Sequence, residues 1–252
     1  SGTFKVAESG RYSLSFGLVG QAGRLIIEDE VIADLKQDNT NLGSVPEYLT
    51  HTFDMMLEAA REYQLQMEYV TLPDIQWRAM SLGAEWLDRP DPVEEAVAIA
   101  KRANTVVIVA GLTNEWEAEG ADRVNMRLPN RQDELIEKVS AANPNVVVVL
   151  NLGGPVAMPW LDQVSSVLQM WYLGQETGNA LADILFGDVC PSGKLPTTFP
   201  HRLEDNPSYI NFPGENGRVN YGEGLFIGYR YYDKKAVAPL FPFGHGLSYT
   251  CL

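Results

Sequence analysis

The chain has 252 residues, 45% of them hydrophobic, and a formal net charge of −14. That length and composition can bury a sizeable core in one large domain or in a domain with a smaller companion. The charge argues against nucleic acid or an anionic membrane surface as partner, because the protein's own field repels a polyanion.

Two cysteines, Cys190 and Cys251, are too few for a disulfide framework and are read as free thiols. His51, His201 and His245 stand at no metal-ligand spacing. The Gly-rich "GENGRVNYGEG" lacks the Lys-Ser/Thr ending of a phosphate loop. The expectation is therefore no metal, no cofactor and no membrane span, with a small molecule as the ligand.

From Ser1 to about Glu85 the pattern is strand-like. "RYSLSFGLVG", "GRLIIEDEVIADL", "EYQLQMEYVTL" and "IQWRAMSLGAEW" alternate apolar and polar residues between Gly, Pro and Asp breaks. Residues 10–35 read as an antiparallel meander with Asp29 and Glu30 in a turn, in a block that is short for a closed sandwich. At "WLDRPDP" the composition changes: Asp91 is placed to cap a helix and Pro92 to occupy its first position.

Beyond it, helical "VEEAVAIAKRAN" feeds "TVVIVAGL", helical "RQDELIEKVSAAN" feeds "PNVVVVLNL", and "VSSVLQMWYLG" precedes helical "GNALADILFG". Continuous β-branched runs alternating with helices predict strands buried on both faces of a mostly parallel sheet. Ligands bind beyond the carboxyl ends of such strands, where "NEWEAEGADR", "NLGGPV" and "GQETG" fall, so three loops are expected to meet on one rim. After Gly193 the Pro-, Gly- and aromatic-rich tail reads as a lid or wrap.

In "NEWEAEGADR", Glu115, Glu117 and Glu119 recur every second residue, a spacing that lines no single helix face. This stretch, with "LPNRQDELI", "NPNVVVVLNLGGPVAMPW", "WYLGQETGNALADILFGDVCPSGKLPTTFP", "YGEGLFIGYRYYD" and "PLFPFGHGLSY", resembles the C-terminal α/β sandwich domain of glycoside hydrolase family 3 β-glucosidases. The β-rich opening resembles the tail of the PA14 module that interrupts that domain in one branch of the family. The resemblance implies an α/β three-layer sandwich over residues 91–252, preceded by a partial PA14-like β module over residues 1–85.

It also implies a role for Glu119, which matches the general acid/base of the family's E-G-x-D-R element. A glycosidase needs such a carboxylic acid to protonate the leaving oxygen. Glu115 and Glu117 compete for the role. Asp122 and Arg123 are expected to brace the loop as an ion pair, or to contact substrate together with Trp116 and the residue at Ala121.

The family carries its nucleophile on a (β/α)8 barrel, to which nothing in this chain corresponds. The expectation is a proton donor that is not hydrolytic alone and whose partner barrel lies in other polypeptide. Two readings stand beside it. One is a repurposed biosynthetic cyclase, isomerase or lyase for an apolar natural product, suggested by Ala121 and by Gly153 and Gly154 standing where the family has bulkier or hydroxylated residues. The other is a non-catalytic carbohydrate-binding domain. Trp160 and Trp171 are read as core residues, and His245 as a turn-fixing residue.

Overall fold

Alternating apolar residues carry the described part of the first ninety positions into seven antiparallel strands. The computed structural model describes residues 1–37, 48–70, 79–119 and 122–250. It divides into two units, Ser1–Pro90 and Asp91–Leu252.

In the first unit, β1 (Gly2–Phe4), β6 (Tyr63–Val70), β3 (Ala22–Ile27) and β4 (Glu30–Lys36) form one sheet in the order β1-β6-β3-β4. A second sheet is built from β5 (Leu49–Leu57), β2 (Gly10–Val19) and β7 (Ala79–Trp86), with β2 central. Tyr12, Leu14 and Phe16 point inward from β2, and Leu25, Ile27, Ala33 and Tyr63 come from the other sheet to share one core. A period of two places all of these on inner faces, as the alternation predicts.

The meander is corrected, however. β3 and β4 pair across a turn at Glu28 and Asp29, where both residues have positive φ, and Glu30 already belongs to β4. β2 instead pairs with β5 and β7, so the chain changes sheets between Val19 and Ala22. Alternation reports which face is buried but not which strand is the neighbour. Part of "IQWRAMSLGAEW" lies outside the described residues.

The second unit is an α/β sandwich. Its α1 (Pro92–Ala100) starts as predicted: the Asp91 side chain accepts from Val93 N at 2.9 Å, and Pro92 stands in the first turn. β8 (Val106–Gly111), α2 (Gln132–Ala142), β9 (Val146–Asn151), β10 (Ser166–Gln169) and α3 (Thr177–Phe186) follow. The three strands are parallel, in the order β10-β9-β8. Ile108, Ala110, Val146, Val148 and Leu150 pack with Ile136 and Val139 of α2 and with Trp160 and Phe199.

Burial on both faces holds for β9 but not for β8. Val107 and Val109, on the other face of β8, are 45% and 60% exposed. β8 is the edge of the described sheet, so its side chains have strand neighbours on one side only. The end of that edge is closed by a side chain: Gln132 Oε1 accepts from Gly111 N at 2.8 Å, and its Nε2 donates to Gly111 O at 2.9 Å.

The tail is a wrap, and it contains one helix that the loop reading missed, α4 (Tyr229–Lys235). Phe199 and Phe241 exchange backbone hydrogen bonds at 2.9 and 3.1 Å, and Leu195 N donates to His245 O at 2.8 Å. These bonds seat the wrap on the core, which Phe199 enters. His245 thus holds its turn through its backbone, and its ring lies 4.9 Å from that of Phe241.

Candidate active site on the sheet rim

β8, β9 and β10 run parallel, so their carboxyl ends and the loops that follow lie on the same side of the sheet. After β8, Leu112 is buried and Thr113 O accepts from both Trp116 N and Glu117 N at 2.9 Å, closing a turn. Trp116 packs against the core, which sets the orientation of the residues on either side of it.

Glu117 is the meeting point of the three loops. Its Oε2 accepts from Gly153 N, after β9, at 2.9 Å, and from the Tyr172 hydroxyl, after β10, at 2.5 Å. Partial burial, then the hydrogen bond to Glu117, push the Tyr172 phenol up to about 12, so it stays a donor at neutral pH. Trp171 has a φ of 58°, a left-handed conformation that an L-residue adopts at a cost of ~1–2 kcal/mol. This bend separates two adjacent rings: Trp171 turns in, edge-on to Phe199, and Tyr172 reaches Glu117.

The two glycines after β9 find their explanation here. A Cβ on Gly153 would lie 3.0 Å from Tyr172 Cε2 and 3.1 Å from Glu117 Oε2. One on Gly154 would lie 3.2 Å from Arg123 Nη2. The glycines admit these side chains to the backbone.

The three candidate glutamates are therefore unlike one another. Glu117 is half-buried and engaged as an acceptor. Glu115 and Glu119 are exposed, and no hydrogen bond or ion pair holds either among the described residues. Asp122 is also exposed and, among the described residues, forms no ion pair with Arg123. Arg123 Nη2 instead donates to Pro155 O at 3.0 Å, bracing the loop against the one after β9. Its Nη1 is buried with no partner among the described residues. Ala121 lies outside the described residues.

A cavity of about 260 Å³ next to the rim is lined by Arg123, Met126, Pro155, Thr198, Leu203 and Tyr232 among others, and by none of the three glutamates. Trp160 is fully buried and donates through Nε1 to Asp133 at 2.9 Å, so it is a core residue. No group of three or more His, Cys, Asp or Glu side chains suited to a metal ion occurs among the described residues. The part of the site that sequence reasoning missed is the Glu117–Tyr172 bond; the aromatic pair straight after the β10 strand end was its only trace.

Residues 16–249 match the family model "Glycosyl hydrolase family 3 C-terminal domain". A probable β-glucosidase I from Emericella nidulans is 44% identical over 99% of this chain and 31% of its own length. The chain thus spans about a third of the length of the curated relatives it matches. Among solved structures, a β-glucosidase from Kluyveromyces marxianus in complex with glucose is 40% identical, with a TM-score of 0.88 over 99% of this chain and 30% of that one. A β-glucosidase from Streptomyces venezuelae in complex with D-glucose is 35% identical, with a TM-score of 0.63 over 99% of this chain.

Proposed function

The chain belongs to the glycosyl hydrolase family 3 C-terminal domain family, and from that premise we propose that it supplies the proton donor of a retaining β-glucosidase whose nucleophile lies in polypeptide outside these 252 residues. Glu119 is the donor. Its carboxyl protonates the departing glycosidic oxygen, then accepts a proton from the water that releases the sugar. The substrate class is β-linked glucosides, the nucleophile belongs to a barrel domain, and the two-sheet opening of residues 1–85 is the tail of a PA14-like module.

One observation carries this reading above the alternatives: the acidic loop is clamped to both neighbouring strand-end loops through Glu117, while Glu119, two residues on, is exposed and has no partner among the described residues. A proton donor has to be available to the substrate, whereas a structural carboxylate has to be occupied. The glucose bound to relatives of 35% and 40% identity adds support for a sugar ligand.

The test is kinetic. In the full natural polypeptide, Glu119→Gln is expected to reduce kcat/KM, which reports the step that expels the leaving group, by ~10²–10⁴-fold on an alkyl β-glucoside. The reduction is much smaller on a dinitrophenyl β-glucoside, whose leaving group needs no proton. The 252-residue chain by itself is expected to turn over neither. Hydrolysis by that chain, abolished by Glu119→Gln, contradicts the need for an outside nucleophile.

A further inference from the structure

Resting on that reading, we propose that Glu117 is the positioning residue for Glu119: a carboxylate that never transfers a proton in the reaction but aims the one that does. Glu117 competes with Glu119 for the catalytic role by sequence, and the geometry separates them. Glu119 is exposed and unheld among the described residues, whereas Glu117 Oε2 is held in place by Gly153 N and by the Tyr172 hydroxyl, both of which donate to it. These donors belong to two different strand-end loops. One backbone amide and one phenol therefore fix the position of an otherwise exposed loop in two directions.

The rest of the rim is built to keep this clamp. Trp116 anchors the preceding residue in the core, and Thr113 O holds the backbone of both Trp116 and Glu117. Trp171 accepts a left-handed backbone, the conformation that sends Tyr172 outward to Glu117. Gly153 has no side chain at the one place where a Cβ would press on both Tyr172 and Glu117. Strain and close approach gathered around one hydrogen-bonded carboxylate are what a preorganised catalytic loop requires. Displacing the donor by about 1 Å reduces the rate by up to ~10²-fold without any loss of binding.

The experiment compares Glu117→Ala, Glu117→Gln, Tyr172→Phe and Glu119→Gln in the full natural polypeptide, on aryl and alkyl β-glucosides of graded leaving-group acidity. Glu117→Ala is expected to reduce kcat/KM about 10–100-fold on poor leaving groups and only a few-fold on dinitrophenyl glucoside. Glu117→Gln is expected to recover most of that loss, because its amide oxygen can accept from the same two donors. Tyr172→Phe should fall between them.

A loss in Glu117→Ala that is equal for all leaving groups shows a purely structural role and overturns the inference. So does a Glu117→Gln variant as deficient as Glu119→Gln with the same leaving-group dependence, which makes Glu117 itself the acid. If Glu119→Gln shows no leaving-group dependence, the proposed function fails first and the inference with it. If Glu119→Gln shows it and both Glu117 variants behave as the unsubstituted protein, only the inference fails.

Discussion

Asp133, buried among the helices of the second unit, accepts from Trp160 Nε1 at 2.9 Å and from Arg127 Nε at 3.4 Å. Asn143, equally buried, donates to Ala100 O and Ala103 O at the end of α1 and accepts from Asn145 N. On the rim, a few residues beyond a strand end, Glu119 has no partner among the described residues. Asp133 and Asn143 are matched because an unmatched buried polar group loses its bond to water and gains nothing. A rim carboxylate keeps its water, so it can remain unengaged at little cost to stability. These two interior side chains are thus tied to the fold, whereas the Glu119 side chain on the rim is exposed.

Substitutions can break this contrast. The largest effect on stability is expected at Trp160→Ala, about 3–5 kcal/mol in chemical unfolding followed by circular dichroism, because a fully buried indole leaves a cavity and strands Asp133. Asp133→Ala is expected to lower stability by about 1–3 kcal/mol, leaving Trp160 Nε1 unmatched. Neither should alter kcat per folded molecule, and a leaving-group-dependent loss in either would erase the distinction between interior and rim.

Gly111→Ala tests the boundary between the two regions. Its Cβ would fall 2.1 Å from Asn151 O in the paired strand, so β8 and β9 must part there, at about 1–3 kcal/mol. Gly153→Ala, on the rim itself, needs shifts of only a few tenths of an ångström and is expected to change stability by less than about 1 kcal/mol. Its kcat on alkyl glucosides should nevertheless fall several-fold, because the shift displaces Tyr172 and Glu117.

The smallest effect is acid-linked. Arg131, with the Val93 amide, holds the Asp91 carboxyl down from an ordinary 3.8 to about 2, and Arg131 and Lys138 hold Glu134 down from 4.5 to about 2. Folded values below unfolded ones mean stability that is complete above about pH 4.5 and lost as pH falls through 2. Both groups are exposed, so solvent screens the effect and only its slope is diagnostic. Melting temperatures of Arg131→Met should fall less steeply than those of the unsubstituted protein between pH 4.5 and 2.

Much of this was legible in order along the chain. The cap at Asp91 and Pro92 is local chemistry between neighbours, and the apolar runs that became β8 and β9 announce themselves by composition. The turn at Asp29 was legible too, but not that β2 pairs away from β3, because pairing is chosen by cores that assemble across the chain. α4 was hidden because "YRYYDKK" carries no repeating apolar stripe, only a few rings and a buried Tyr232. What the glycines at 153 and 154 make room for was not legible in their own loop, since the side chains that approach them come from residues 117, 123 and 172.

By itself the sequence determined that an acidic loop follows an apolar strand and that three strand-end loops fall on one side of a parallel sheet, because strand direction and hydrophobic period are properties of consecutive residues. Which of the three glutamates is tied down, and which has no partner among the described residues, was decided only in three dimensions. The donors that settle it, Gly153 N and the Tyr172 hydroxyl, stand 36 and 55 residues away from Glu117, and no spacing within one loop encodes a partner brought alongside by the packing of two other strands.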